Sequence, residues 1–494
     1  MRGSMKRRKK VKEAVKISGV IVLAILLLGM VAAPTVAQTS TQEQTPGAQP
    51  STSTGQSPQG STSSTEAKPA SQGPYSGDVW HRSTLTGDWG GLRNDLATKG
   101  VTFDMSLTQV YQGVVDGGIK KTWRYGGRGN LTINVDTQKL GLWPGGFLTV
   151  EVEGNYANSV NNKTGAILPV NSNQLYPMPA IPGFNDGDNI DVPQVMLTQF
   201  FSPYAAFFLG KIDITSGDAN AFAHGKGDTQ FFNLAFNFTP VPALAAPYSP
   251  LGAGLMILPT KDANAAVVNL MILQSTALAS TSGFDDLHSN QLTFAGEGRV
   301  RTNFFGLTGH QLIGTMYSNK TFFSLDQNLR LIIQNQIEQK DGTWCIYYNF
   351  DQYLYEIKKG SDQGIGIFGR FGVSDGNPNP THLFFSLGVG GKGVIPGRPL
   401  DQFGIGAYYG DVSNPKLTGP FATREFLRDG YGFEAYYNIA ITPWLKLTPD
   451  IQVIRPSMKE VLTIGRDRFG LPIIVSQKDI DTATVLGLRL QMIF

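Results

Sequence analysis

The chain closes on Val485-Leu486-Gly487-Leu488-Arg489-Leu490-Gln491-Met492-Ile493-Phe494, and the reading of this stretch decides the fold. Leu486, Leu488, Leu490, Met492 and Phe494 fall on one face of an extended strand. Val485, Gly487, Arg489, Gln491 and Ile493 fall on the other. Successive strand side chains point to opposite faces, so this spacing builds one continuous apolar surface and one mixed surface.

The same period of two recurs upstream. Leu131, Ile133 and Val135 alternate with Thr132, Asn134 and Asp136; Leu148, Val150, Val152 and Tyr156 alternate with Thr149, Glu151, Glu153 and Asn155. Phe232, Leu234, Phe236 and Phe238 alternate with Asn233, Ala235 and Asn237. Tyr431, Phe433, Ala435, Tyr437 and Ile439 alternate with Gly432, Glu434, Tyr436 and Asn438. These read as strands with one apolar and one polar face.

A soluble sandwich alternates in the same way, so three further features decide. The final strand stops on a large aromatic residue, as the terminal assembly signal of an outer-membrane barrel does. It predicts that barrel assembly machinery reads Phe494. Long connections (residues 411–430 and 455–481) alternate with a short one at Thr442-Pro443, as long extracellular loops alternate with short periplasmic turns. Aromatic residues are plentiful, 29 Phe and 17 Tyr, with pairs such as Phe231-Phe232 and Phe384-Phe385 placed as for interfacial girdles. Lipid admits only structures that satisfy every backbone group, and strands do so only in a closed barrel. At about ten residues per strand, residues 101–494 predict an all-β transmembrane antiparallel barrel of about 16 strands, with about 14 or 18 as the neighbouring counts. A barrel of that size encloses a water-filled lumen.

The first hundred residues read differently. Lys6-Arg7-Arg8-Lys9-Lys10, the apolar run from Val20 to Leu28 and the small residues before Ala37 predict a signal peptide over residues 1–37, too short for a membrane anchor. The full chain carries 41 Lys+Arg and 38 Asp+Glu. Beyond residue 37 there remain 33 basic and 37 acidic side chains, a net −4 that gives no reason to expect a nucleic-acid partner. Residues 38–75, rich in Ser, Thr, Gln and Pro, cannot bury enough surface to order and predict a flexible periplasmic tail. Residues 76–100 contain Thr86-Gly87-Asp88-Trp89-Gly90-Gly91-Leu92-Arg93-Asn94-Asp95-Leu96, which predicts one short N-terminal helix closed by Gly100.

Several motifs carry no chemistry. The single cysteine, Cys345, lies in an alternating run and reads as a packed strand residue. Gly388-Val389-Gly390-Gly391-Lys392-Gly393 lacks the Ser/Thr of a phosphate loop. Asp285-Asp286-Leu287-His288 and Asp186-Gly187-Asp188 lack the remaining ligands of a metal site. No cofactor or metal is expected, nor is an enzyme, since no Ser/His/Asp set gathers at one rim.

The ordered motifs resemble those of the carbohydrate-selective outer-membrane porins of the OprB type. They are Leu85-Thr86-Gly87-Asp88-Trp89-Gly90-Gly91-Leu92-Arg93; Lys139-Leu140-Gly141-Leu142-Trp143-Pro144-Gly145-Gly146; and Leu209-Gly210-Lys211-Ile212-Asp213 with Phe231-Phe232-Asn233. Then follow Tyr248-Ser249-Pro250-Leu251-Gly252, Asp351-Gln352-Tyr353-Leu354-Tyr355 and Gly397-Arg398-Pro399-Leu400-Asp401-Gln402-Phe403-Gly404. The series ends with Thr442-Pro443-Trp444-Leu445, Thr448-Pro449-Asp450-Ile451-Gln452 and Gly487-Leu488-Arg489-Leu490. The Ser/Thr/Gln-rich tail is longer than the family's pattern, and no surface-layer anchoring module precedes the barrel. The resemblance implies passive diffusion of mono- or oligosaccharides through an inwardly constricted pore of 16 strands in the outer membrane of a Gram-negative bacterium. A general or anion-selective porin is the alternative.

A sugar offers hydroxyl edges and weakly apolar faces, so a pore that favours it needs charged hydrogen-bonding groups beside aromatic rings. The polar strand faces carry Asp136, Glu151, Glu153, Arg370 and Arg489, and Glu297, Arg299 and Arg301 share one face. The pore-lining candidates are Arg128, Lys211, Asp213, Glu297, Arg299, Glu434 and, as a stacking platform or an interfacial anchor, Trp123. The partners expected are a carbohydrate and outer-membrane lipid, and the sequence leaves a homotrimer or a monomer open. Residues 158–192, together with 219–229, lack clear alternation and predict an inward-folding constriction. Deleting about ten residues from 158–192 should raise single-channel conductance, because constriction loops set pore radius; unchanged conductance and sugar block would refute the assignment.

Overall fold

The computed structural model describes residues 73–178, 189–216, 219–284, 287–328, 330–331, 334, 336–418, 425–466 and 472–494. The expected signal peptide, nearly all of the tail, Asp186-Gly187-Asp188 and the pair 285–286 lie outside them. The barrel begins with β1 (Val101–Asp116), β2 (Thr122–Asp136), β3 (Gly146–Ala157) and β4 (Asn189–Ser202). It continues with β5 (Ala205–Lys211), β6 (Leu251–Ile257), β7 (Ala266–Gln274) and β8 (Leu292–Phe304). Next come β9 (Leu307–Phe323), β10 (Gln339–Glu356), β11 (Gly364–Ser374) and β12 (Thr381–Lys392). The last four are β13 (Gln402–Val412), β14 (Gly430–Thr442), β15 (Leu445–Arg455) and β16 (Ala483–Ile493).

Each strand pairs antiparallel with its neighbour, and β16 pairs with β1 to close the ring of 16. Closure leaves no unpaired edge, which lipid requires. The seam is set by pairs such as Val110 with Arg489, and the Phe494 amide extends it by donating to Met105 O at 2.9 Å. On β16, Leu486 and Leu488 face outward and are exposed, whereas Val485 and Arg489 face inward and are fully buried. The period-two reading holds. An outward row of aromatics crosses paired positions Tyr348, Phe371, Phe385 and Tyr409, with ring centroids 6.3, 6.5 and 5.5 Å apart. Such a belt suits a membrane interface.

Turns at 203–204, 305–306 and 443–444 lie at one rim, which by the rule of short turns is periplasmic. Helix α1 (Leu92–Thr98) meets this rim, as the sequence predicts. Arg93 anchors it to the Thr84 hydroxyl at 3.1 Å and the Phe103 carbonyl at 2.5 Å, beneath the rings of Tyr75 and Trp89. The opposite rim carries the long connections 158–188, 212–250 and 456–482.

Two sequence readings are corrected. Residues 232–238 are no barrel strand: Leu234–Asn237 forms a helical turn within the 212–250 connection, inside the lumen. Phe231 and Phe232 accordingly belong to no girdle. The stretch 455–481 is also not merely a loop, since Glu460–Arg466 and Pro472–Asp479 pair as a hairpin outside the barrel sheet. Among the described residues no helix is long and apolar enough to cross a membrane; the strands cross it.

Candidate functional site

Two connections fold into the lumen. Residues 160–178 and 212–250 are buried at most positions, although neither lies in the barrel wall. The expected constriction covered 158–192 and 219–229. Asn189 onward belongs to β4, and the larger inward element is the 212–250 connection, described at 212–216 and 219–250.

One side of this element is held by charge. Lys226, at positive φ between Gly225 and Gly227, inserts its ammonium among three buried carboxylates. It lies 2.8 Å from Glu153 and 3.4 Å from Glu151, and it contacts Asp213 directly. Arg128 on β2 donates to Glu153 at 2.9 Å and reaches Asp228. The rings of Tyr176 and Tyr248 lie 5.0 and 5.7 Å from the Lys226 ammonium. Burial alone would favour neutral groups. It opposes ionisation of Asp213, yet Lys226 and the hydroxyls of Ser216 and Thr215 hold that carboxyl below its usual range. Burial likewise opposes charge on Lys226, and the carboxylates of Asp213, Glu151 and Glu153 outweigh it and raise the ammonium well above its ordinary value. Both groups therefore remain charged across neutral pH. Glu151, Glu153 and Asp213 have the proximity of a metal site, but the Lys226 ammonium takes the position a cation would need.

The other side is held by aromatic rings fitted into glycine-lined wall. Phe231 and Phe236 stack at 4.5 Å, and Phe231 meets Phe368 and Tyr436 from the barrel at 5.3 and 4.9 Å. A Cβ at Gly406 would lie 2.6 Å from the Phe236 ring, and one at Gly366 would lie 2.3 Å from Phe222. These strands carry glycine inward because the rings need that space. Wall side chains finish the docking by binding the segment's backbone. Arg370 donates to Phe236 O at 3.0 Å, Arg489 to Gly227 O at 2.7 Å, and Asn438 to Thr229 O at 2.8 Å.

The seven expected pore-lining residues divide accordingly. Arg128 and Asp213 belong to the charged cluster. Glu434 accepts the backbone N–H groups of Phe232 and Asn233 at 2.5 and 2.9 Å. Lys211 donates to Ala279 O and Thr281 O at 2.6 and 2.5 Å, holding the connection after β7. Glu297 accepts from the Tyr347 hydroxyl at 2.8 Å. Arg299 lines open space. Trp123 faces outward, 42% exposed and stacked on Tyr111 at 4.9 Å, so it is an interfacial residue and not lumenal. Arg128 is five positions away from it in the same strand, and odd spacing places the two on opposite faces.

That open space is a cavity of about 460 Å³ between the inward segment and the wall of β8 to β13. Phe222, His224 and Gln230 face Arg299, Arg301, His310, Tyr353 and Lys392 across it. Asn264 and Asp362, from periplasmic turns, also line it, so it lies on the periplasmic side. His310, Tyr353, Lys392 and Phe222 were not among the expected residues; only the inward parity of their strands could have pointed to the first three.

A narrowed barrel with cations and rings around its open space can be compared with known proteins. The family profile described as carbohydrate-selective porin, OprB family, matches residues 120–494. The chain belongs to that family. This OprB-family porin is 23% identical over 461 residues to Porin B of Pseudomonas aeruginosa, covering 83% of this chain and 91% of that protein. The high-pH structure of Pseudomonas putida OprB superposes with a TM-score of 0.67 at 21% identity, covering 84% of this chain and 99% of that one, and bears out the fold. The protein is thus a carbohydrate-selective porin of the outer membrane. The family is one of transport channels, not an enzyme class.

The charged cluster gives a test within this porin. Lys226→Met leaves three buried carboxylates facing one another, and breaking a buried ionic set costs about 3–5 kcal/mol. Single-channel recordings should show higher conductance with a noisy baseline, while the barrel still resists unfolding in detergent. A quiet channel of wild-type conductance would contradict the docking role.

Proposed function

We propose that sugars cross passively through the gap between the docked 212–250 segment and the wall of β8 to β10, with Arg299 and Tyr353 as the principal contacts. The observation that carries this reading is the cavity beside Arg299. Among the described residues, that guanidinium makes no hydrogen bond or ion pair, so its donors remain available to hydroxyls. Tyr353 and Phe222, with ring centroids 4.8 Å apart, offer apolar surface to the C–H face of a sugar ring. His310, 2.9 Å from Asp351, supplies a further polar edge. A mixed lining of this kind suits mono- or oligosaccharides, and its openness keeps binding weak enough for transit. Arg128, Lys211, Asp213 and Glu434 act on the sugar through the segments they position, and Glu297 through Tyr347 of the wall.

Three further assignments belong to this reading. Residues 1–37 direct export and are removed, residues 38–75 form a periplasmic spacer, and Phe494 is the handle for barrel assembly. The test is liposome swelling and current block. Glucose should swell loaded liposomes faster than amino acids of equal size. Arg299→Ala and Tyr353→Ala should each raise the half-blocking glucose concentration about fivefold, on the order of 1 kcal/mol for one lost hydrogen bond or stacking contact. Equal swelling by glucose and amino acids would favour a porin without sugar preference.

A further inference from the structure

Among the described residues, one guanidinium at the periplasmic cavity has no acidic partner. The cavity's acids are committed. Asp351 accepts from His310 at 2.9 Å and from the Ala221 amide at 3.2 Å. Asp362 contacts Lys392, and Asp262 lies at the limit of contact with Arg301, 3.9 Å away with both side chains about half exposed. Arg299 therefore stands without an ion pair among the described residues, beside Arg301, whose contact with Asp262 is at the limit of pairing.

We propose that this vestibule is a subsite for sugars bearing a carboxylate, such as uronic or aldonic acids, received by Arg299 and Arg301. Two residues apart on β8, these guanidiniums lie on one face and line the same cavity. A guanidinium pairs with a carboxylate through two parallel N–H donors, a geometry that neutral hydroxyls do not match. Tyr353 and Phe222 receive the ring behind that carboxylate. At about 460 Å³ the cavity falls within the ~300–1,000 Å³ usual for small ligands. The inference rests on the sugar pathway proposed above and adds a charge preference to it. Because the cations are partly exposed, the preference is screened by salt.

The experiment compares D-glucose with D-glucuronate, which differ only at C6, as blockers of current through the full-length porin in planar bilayers at matched ionic strength. Glucuronate should half-block at about a tenfold lower concentration in dilute salt, as charge-assisted pairing outcompetes neutral hydrogen bonds. Near 1 M salt, where the screening length is about 3 Å, the ratio should fall to about twofold. Arg299→Gln combined with Arg301→Gln should abolish the difference in dilute salt. The wild-type comparison decides even if that variant does not assemble. If glucose blocks and glucuronate blocks no more strongly, this inference is overturned and the sugar pathway stands. If neither blocks, the pathway itself fails and the subsite with it.

Discussion

The ammonium of Lys226 among Glu151, Glu153 and Asp213 is the contact on which the pore depends. An empty ring of 16 strands would pass solutes with little discrimination, since its lumen exceeds any small sugar. Narrowing requires a polypeptide held against the inner wall of a water-filled ring. The protein meets that need by burying charge on one side, where oppositely charged groups satisfy one another, and by seating rings against glycine on the other. Desolvating so many charges is costly, and only a set in which nearly every lone pair finds a donor can offset it.

Function follows from what this docking leaves uncommitted. Most lumenal charges hold backbone or one another, so they give the constriction its shape without meeting solute. Arg299 differs because it faces open volume on the far side of the segment. A channel needs few such groups. Tight sites would trap a solute, and one available guanidinium beside two rings gives contact without capture.

Much of the fold was legible in the sequence because membrane strands obey a strict parity. The outward face of β16 and the sixteen-strand total follow from alternation and loop spacing. Parity also carried the polar candidates to the lumenal side, and applied to Trp123 against Arg128 it would have excluded the tryptophan. It failed at residues 232–238, where phenylalanine and asparagine alternate along the sequence but Leu234–Asn237 forms a helical turn that buries rings and amides alike. The distinction between holding a loop and meeting a solute was not legible, because Glu434 and Arg299 look alike along a strand. Only the docked segment, which covers one and not the other, separates them.

If the docked segment is a fixed wall of the pore, locking it in place should change nothing. Asn220 on the segment donates to Asn349 on β10 at 2.7 Å. Cysteines at both positions, with Cys345 replaced by alanine, can be joined by a short bifunctional thiol reagent and the channel recorded before and after. The account predicts the same conductance and the same glucose block in both states. A large change in either on cross-linking would mean that the segment moves during transport and that its charged contacts are a latch, not a wall.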